Sequence, residues 1–298
     1  MIDRVARGTA AAVAVARAHG LPVAEPAVLS DGVNLVVLLR PAPVVARVAT
    51  LTPLLRPDAA RAPRRDLALA TARAAAGAPV LTPSDLLPPG PHEHDGLTLS
   101  FWRYVEVLPD RPTPAVAGTT LAQLHAVLAR VDPGWDGDPL DTPLGDLAEF
   151  GRRGVELGAD PQLVARTAEL VDRLRPRLTG PAQLLHGDAH PGNLLRTPSG
   201  WVWADLEDTC RGPVGWDLAC LRRTGRLDGR AALDAVPGSP SDAELAPFGW
   251  LRALHAASWW FVHAVRVPAD LPAARAQLAT AVAEVRAGLS RAAPPGRG

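Results

Sequence analysis

Runs of branched apolar residues mark strands in the first third of the chain. Val33–Leu39 and Val44–Val48 each follow a short turn that contains glycine or proline, which predicts an antiparallel hairpin. Leu97–Val107 shows the same apolar character and is predicted as a further strand. Asp66–Ala76 has the composition of a helix, which Gly77 would end. The N-terminal third is therefore predicted to be a sheet with helices.

The first twenty residues allow two interpretations. Arg4 and Arg7 precede the small apolar run Thr9–Ala16, as in a secretion signal. The run is short and rich in alanine, and Arg17 interrupts it. We therefore predict a helix that Gly20 ends, and a cytoplasmic protein.

Helical signals dominate the remainder. Apolar residues recur every three or four positions within Pro114–Arg130, which indicates an amphipathic helix. Asp160 precedes a proline and Ser241 opens a capping box, so a helix should begin after each. Phe248–Val265 and Leu271–Arg291 are also predicted as helices.

These patterns predict an α+β protein, with a small sheet lobe over 1–105 and a larger helical lobe over 106–298. The 31 basic residues balance 31 acidic ones, which argues against nucleic acid or an acidic membrane surface as a partner. No apolar run approaches the roughly 20 residues of a membrane span. Every basic residue is arginine, and the lack of lysine excludes Walker A loops and Schiff-base enzymes. The two cysteines cannot form a disulfide scaffold or a four-cysteine zinc site.

One polar loop carries the candidate chemistry. Residues 186–193 read HGDAHPGN, and a predicted hairpin brings Asp188 and Asn193 beside Asp205, at the end of its second strand. Carboxylate and amide oxygens are hard ligands that suit Mg²⁺. In phosphoryl transfer one carboxylate accepts the hydroxyl proton, while an amide and a second carboxylate hold the metal. Asp188 is thus the candidate catalytic residue, and Asn193 and Asp205 are the candidate metal ligands.

These residues resemble the motifs of the aminoglycoside phosphotransferase and choline kinase-like family, which has a two-lobed, protein-kinase-like fold. The family's HGDxHxxN motif is matched by His186, Gly187, Asp188, His190 and Asn193, its WDLA segment by Trp216–Ala219, and its LH pair by Leu124 and His125. The resemblance implies that Asp217, His186 and His190 support the catalytic loop. It also implies an enzyme that uses Mg²⁺ and transfers the γ-phosphoryl group of ATP or GTP to a hydroxyl of a small molecule, such as an aminoglycoside or related metabolite.

The resemblance further implies a nucleotide site in the N-terminal lobe, formed by a turn, the third strand, a helix and the linker. The candidate nucleotide-binding residues are Ser30, Gly32, Asn34, Arg47, Asp66, Arg103, Tyr104 and Val105. Arg47 stands where the family has a lysine, and arginine can bind phosphate oxygens with two donors. Asp66 stands for the usual glutamate and is one methylene shorter.

The acceptor pocket is less defined by the sequence. Its candidate residues are Glu207, Asp208, Trp259 and Trp260. The acidic residues between Asp132 and Glu149 either attract a cationic acceptor such as an aminoglycoside or form a solvated loop with helix caps. His255 and His263 are eight residues apart, so they indicate core or pocket wall rather than a metal site.

Two other functions stay open at this point. His186, Asp188 and His190 alternate, so on an extended strand they could bind a transition metal in a metallohydrolase, although a proline follows at once. The altered Arg47 and Asp66 are compatible with a degenerate kinase that binds nucleotide without turnover. No motif specifies the acceptor, the choice of ATP or GTP, or the oligomeric state.

Overall fold

The computed structural model describes residues 4–75, 77–131, 134 and 137–291. Helix α1 (Arg4–Ala18) precedes an antiparallel sheet whose strands lie in the order β1-β2-β3-β5-β4. The strands are β1 (Val23–Asp31), β2 (Asn34–Pro41), β3 (Val44–Ala49), β4 (His92–His94) and β5 (Leu97–Arg103). Helix α2 (Arg61–Ala75) lies between β3 and β4 in the chain.

The sheet and α1 share a core. Leu35, Val37 and Leu39 alternate along β2 and are fully buried against the alanine face of α1. Gly8 allows this close approach, because a Cβ there would lie 2.6 Å from Cδ2 of Leu35. The predicted hairpin is confirmed, with Val37 opposite Ala46 in the β2–β3 register.

The edge strands and some element bounds differ from the sequence-based expectation, and the short strand β4 was not predicted. β1 was not predicted, because this edge strand is largely exposed and contains a proline, which only edge strands and bulges tolerate. The strand predicted over Leu97–Val107 ends at Arg103, and α2 begins five residues before Asp66. The predicted lobe boundary after residue 105 falls in the segment between β5 and the next helix, and it stays a prediction.

The rest of the described chain is mostly helical. Its helices are α3 (Pro114–Leu128), α4 (Asp141–Arg153), α5 (Pro161–Leu174), α6 (Gly215–Arg222), α7 (Gly229–Asp234), α8 (Asp242–Arg266) and α9 (Leu271–Arg291). The predicted caps are confirmed: Asp160 accepts from the N–H groups of the first turn of α5, and Ser241 and Glu244 form a capping box on α8. None of the helices within the described residues has the length and apolar character that a bilayer crossing requires.

Two short two-stranded sheets position the polar loop. β6 (Ala182–Leu184) pairs with β9 (Arg211–Pro213), and β7 (Leu194–Thr197) pairs with β8 (Gly200–Trp203). The β7–β8 register sets Leu194 opposite Trp203, as the predicted hairpin requires. The predicted α+β class is confirmed: an N-terminal antiparallel sheet is followed by a mostly helical part.

Candidate active site

A buried carboxylate helps to hold the loop between β6 and β7. Asp217, in the first turn of α6, accepts hydrogen bonds from the backbone N–H groups of His186 and Gly187, both at 2.8 Å. His125 on α3 donates from Nε2 to the same carboxylate at 2.9 Å. Burial alone would raise the pKa of Asp217, but the hydrogen bond and charge of His125 hold it below its ordinary value. Asp217 therefore links α3 and α6 to the loop through hydrogen bonds.

The backbone at Gly187 and the ring of His186 are both tightly packed against neighbouring groups. Gly187 has φ +92°, and a Cβ there would lie 1.9 Å from the carbonyl oxygen of Asp208. The His186 ring is fully buried, with Nε2 donating to the Ala204 carbonyl at 3.0 Å and Nδ1 accepting from the Asp188 N–H at 3.2 Å. Both ring nitrogens are thus occupied, which counts against His186 as a metal ligand in a hydrolase.

Asp188 follows this glycine and is surrounded by donors. Its Oδ1 lies 2.6 Å from Nη2 of Arg252, and its Oδ2 lies 3.3 Å from Nε2 of His190 and 3.3 Å from Nδ2 of Asn193. Burial would raise the pKa of Asp188, but the charge of Arg252 and the hydrogen bond from His190 outweigh it and hold the pKa well below the usual range. Asp188 is therefore an ionised carboxylate at neutral pH. The contact with Arg252 was not expected, because that residue lies 64 positions away on α8.

The two candidate metal ligands lie beside each other. The Ala204 N–H donates to the Asn193 carbonyl at 2.8 Å, which brings the neighbouring Asp205 next to the loop. Nδ2 of Asn193 donates to the Asp188 carbonyl at 3.0 Å, and this leaves its amide oxygen as the atom that can bind a metal. The Asp205 side chain is 43% exposed. One carboxylate and one amide oxygen fit Mg²⁺, which takes few protein ligands and completes its shell with water and phosphate oxygens.

Arg47 connects the sheet to this region. Its Nη1 lies 3.2 Å from Oδ2 of Asp66, and its Nη2 lies 2.8 Å from Oε2 of Glu207 and also contacts Asp205. Burial would lower the pKa of Arg47, but the three carboxylates raise it above its ordinary value. The structure thus brings together Arg47 and Asp66, the residues that stand for the family's lysine and glutamate.

A cavity of about 380 Å³, here named the sheet-side cavity, opens beside Arg47. It is lined by six of the eight candidate nucleotide-binding residues, Ser30, Arg47, Asp66, Arg103, Tyr104 and Val105, and by Asp205. Its apolar wall includes Val36, Val45, Leu81, Trp102, Leu195 and Leu206. Gly32 and Asn34 do not line it; Asn34 instead donates to both Glu207 carboxylate oxygens at 3.0 Å.

Two of the three linker N–H groups expected to bind the base are already hydrogen-bonded within the protein. The Arg103 N–H donates to the Thr82 carbonyl at 3.0 Å, and the Tyr104 N–H donates to the Pro43 carbonyl at 2.9 Å. Among the described residues, no such partner is found for the Val105 N–H. Val105 is therefore the linker donor that an adenine base could use.

The four candidate acceptor residues do not share one pocket. Glu207 contacts Arg47 and Asn34, on the sheet side of the loop. Burial and the nearby Asp205, partly offset by Arg47, raise the pKa of Glu207 to about 7. Asp208 pairs with Arg56 from the segment before α2.

The two candidate tryptophans also lie in different surroundings. Trp259 donates to Oδ2 of Asp146 at 3.1 Å, and the Arg56 guanidinium lies over its ring at 5.0 Å. Trp260 lines a different cavity of about 490 Å³, here named the α8–α9 cavity, together with His190 and Arg252. Of the four candidates, Trp260 alone lines the cavity beside the catalytic loop.

Three residues of the acidic segment form ion pairs with arginines, whereas Asp138 is exposed. Asp132 and Asp136 lie outside the described residues. Asp141 pairs with Arg61 and Arg65 at 2.9 and 2.7 Å. Asp146 is buried and pairs with Arg56 at 2.7 Å, while His255 donates to it at 2.9 Å, and Glu149 pairs with Arg152. These three carboxylates belong to α4 and bind arginines far away in sequence or on the same helix, so they are neither free to attract a cationic acceptor nor part of a solvated loop.

Comparison with known proteins places these features in a family. A family model described as the phosphotransferase enzyme family matches residues 6–248. The chain belongs to the phosphotransferase enzyme family. It is accordingly a small-molecule phosphotransferase of the aminoglycoside phosphotransferase and choline kinase type, and the metallohydrolase interpretation is set aside.

Solved structures share the fold of this phosphotransferase at low sequence identity. A microcompartment-associated aminopropanol kinase has 18% identity and a TM-score of 0.66, with 93% of this chain and 96% of that chain covered. The choline kinase LicA from Streptococcus pneumoniae has 13% identity and a TM-score of 0.62, covering 93% and 98%. A thermostable mutant of the aminoglycoside phosphotransferase APH(4)-Ia, in a ternary complex with ADP and hygromycin B, has 16% identity and a TM-score of 0.57, covering 91% and 97%.

Proposed function

We propose that this phosphotransferase transfers the γ-phosphoryl group of ATP or GTP to a hydroxyl of a small acceptor, with Asp188 as the catalytic base. The observation that carries the proposal is the setting of Asp188: an ionised carboxylate on a rigid loop, close to the metal-ligand pair on one side and to the α8–α9 cavity on the other. A base that accepts the hydroxyl proton needs this charge state and this fixed position.

The sheet-side cavity suits the nucleotide. Its apolar wall fits a base, and the Val105 N–H is available to hydrogen-bond it. Arg47 at the inner end would exchange a carboxylate partner for phosphate oxygens, which its planar guanidinium can bind with two donors. Asn193 and Asp205 would hold Mg²⁺, which neutralises charge on the phosphates when bound.

Both nucleotides need testing. An aminoglycoside phosphotransferase with this fold was solved with ADP and hygromycin B, and another was solved with GDP and kanamycin. The group available in the linker is a backbone N–H, which can donate to a ring nitrogen of adenine or to the carbonyl oxygen of guanine.

The test uses two variants that separate chemistry from binding. Asp188→Asn should bind Mg-ATP or Mg-GTP like the wild type in calorimetric titrations, while transfer to an acceptor falls roughly 10²- to 10⁴-fold, the usual contribution of a positioned base. Asp205→Asn should weaken nucleotide binding in the presence of Mg²⁺ but not in EDTA. Asp234→Asn, an exposed residue of α7, is the matched control.

Each result has a clear meaning. Wild-type protein that binds neither nucleotide would contradict the proposal. Nucleotide binding without transfer across a broad panel of hydroxyl compounds would instead support a degenerate kinase, the interpretation that the replaced Arg47 and Asp66 leave open.

A further inference from the structure

The α8–α9 cavity has an unusual charge for a site that would receive an aminoglycoside. Its walls come from α8, α9, the segment after α6, and His190. Small side chains open the space, namely Ala253, Ala256, Ala257 and Ala281. The charged lining is three arginines, Arg223, Arg226 and Arg252, against one carboxylate, Glu284.

The three arginines differ in their carboxylate partners. Arg223 and Glu284 form a two-bond ion pair at 2.7 and 2.9 Å and so cancel each other. Arg226 has no carboxylate partner among the described residues, and its guanidinium carbon lies 3.2 Å from where a Cβ on Gly192 would be. A positive group thus stands at the cavity wall beside the catalytic loop, where a cationic acceptor would be repelled.

Arg252 forms an ion pair with Asp188, the proposed base. Its Nη2 lies 2.6 Å from Oδ1 of Asp188, and its side chain is only 18% exposed. A hydroxyl group that approaches Asp188 therefore competes with an ion pair. An anionic group on the acceptor would give Arg252 a second anionic partner, because a guanidinium can bind two anions through different edges of its fork.

We propose that the acceptor of this phosphotransferase is an alcohol that carries a carboxylate or a phosphate, and that Arg226 and Arg252 bind that anionic group. The inference rests on the proposed function and names its substrate class. Binding of the anion draws Arg252 toward the cavity and leaves Oδ1 of Asp188 accessible to the acceptor hydroxyl. Asp188 takes the hydroxyl proton, the acceptor oxygen forms a bond to the γ-phosphorus, and the bond from that phosphorus to the β,γ-bridging oxygen breaks, giving a phosphate ester and the nucleoside diphosphate.

The test compares six-carbon polyols that differ in one terminal group and hence in charge: gluconate, sorbitol 6-phosphate, sorbitol and glucamine. The matched three-carbon set is glycerate, glycerol 3-phosphate, glycerol and 3-amino-1,2-propanediol. Nucleotide consumption and calorimetric binding are both measured, so that binding is scored even without turnover. At least one anionic member should be preferred over its neutral counterpart by roughly 10- to 100-fold, the range expected for hydrogen bonds to a charged group. Comparison of the carboxylate with the phosphate compound in each set shows which of the two anionic groups the site prefers.

Variants connect the preference to the cavity. Arg226→Gln should raise the KM, or the Kd, for the preferred anionic compound at least tenfold and should leave the neutral counterpart and Mg-nucleotide affinity unchanged. Arg252→Gln should likewise raise the Kd for the preferred anionic compound at least tenfold, since it removes the second guanidinium that would bind the anion. Arg166→Gln, an exposed ion-paired arginine on α5, is the control.

The outcomes distinguish the two proposals. Preference for glucamine, the amino diol or an aminoglycoside would overturn the anionic-acceptor inference and leave the kinase proposal intact. The same conclusion follows if every anionic compound fails to bind, or if Arg226→Gln leaves the anionic KM unchanged. Absence of Mg-nucleotide binding in the wild type would instead overturn the proposed function itself.

Discussion

Asp217 offers the sharpest test of how the catalytic loop is held. Its carboxylate accepts three hydrogen bonds, two from loop N–H groups at 2.8 Å and one from His125 at 2.9 Å, and none of its surface is exposed. In Asp217→Asn one of the two oxygens becomes an NH₂ group. If that group replaces Oδ1, it faces the N–H of Gly187; if it replaces Oδ2, it faces the N–H of His186. His125 can change tautomer and accept, but a backbone N–H cannot, so one buried donor loses its partner in either orientation.

The cost follows from these contacts. A lost hydrogen bond to a charged group and a buried donor left unsatisfied each contribute about 1–3 kcal/mol, so Asp217→Asn should lower the free energy of unfolding by about 3 kcal/mol. Urea denaturation followed by tryptophan fluorescence measures this, because Trp216 adjoins the site and donates to the Gly187 carbonyl at 2.6 Å. The folded fraction should also show a lower kcat with nearly unchanged nucleotide affinity, since the variant displaces the Asp188 loop.

A matched control keeps the interpretation specific. Asp234→Asn makes the same chemical change at an exposed Arg230 ion pair one turn apart on α7, and it should alter stability by less than about 0.5 kcal/mol. If Asp217→Asn also falls within about 1 kcal/mol of the wild type, the carboxylate does not hold the loop in the way described.

Three further expectations concern the same region. Glu207 has a pKa of about 7 in the folded state against 4.5 in the unfolded state, so the folded state binds more protons between these pH values. The free energy of unfolding should therefore fall by roughly 3 kcal/mol as the pH rises through that window. Glu207→Gln should flatten the dependence of Tm on pH from 5 to 8, and an unchanged slope would mean that another group causes this dependence. Arg47→Lys should raise the Kd for Mg-nucleotide about tenfold and Arg47→Ala further, because lysine offers no planar pair of donors; titrations equal to wild type would exclude Arg47 as the phosphate residue. Gly187→Ala should not yield soluble folded protein under conditions where Gly225→Ala, at a position with open space, does; a folded Gly187→Ala would contradict the close approach to Asp208.

Local signals explain what the sequence predicted. Short stretches of sequence determine the capped helices α5 and α8 and the hairpin β7–β8, because a cap, a turn and the spacing of apolar residues are enough to predict each of them. The same holds for Asp188, Asn193 and Asp205, which lie within eighteen residues of one another, so that a single hairpin brings them together.

The features that escaped prediction depend on distant partners. α4 buries Leu144, Leu147 and Phe150 at helical spacing, a signal that was present but was obscured by the surrounding acidic residues. The ion pair of Arg56 with Asp146 spans 90 positions and that of Arg252 with Asp188 spans 64, and no pattern along a single chain indicates such pairs. The acceptor candidates were misplaced for this reason, because their surroundings are set by tertiary contacts.

In this site the arginines bind several partners at once, which lysine could not do in the same way. Three partly buried guanidinium groups each bind more than one group: Arg47 contacts three carboxylates, Arg56 contacts Asp146 and Asp208, and Arg252 contacts Asp188 and His255. The result is a continuous polar chain through Asp188, Arg252, His255, Asp146, Arg56 and Asp208. A lysine ammonium could balance the charge at each point, but it lacks the flat fork whose separate edges reach two partners at once. The position of the proposed base therefore depends on guanidinium geometry as well as on charge, and the exchange of one partner for an incoming anion is a step that the same geometry permits.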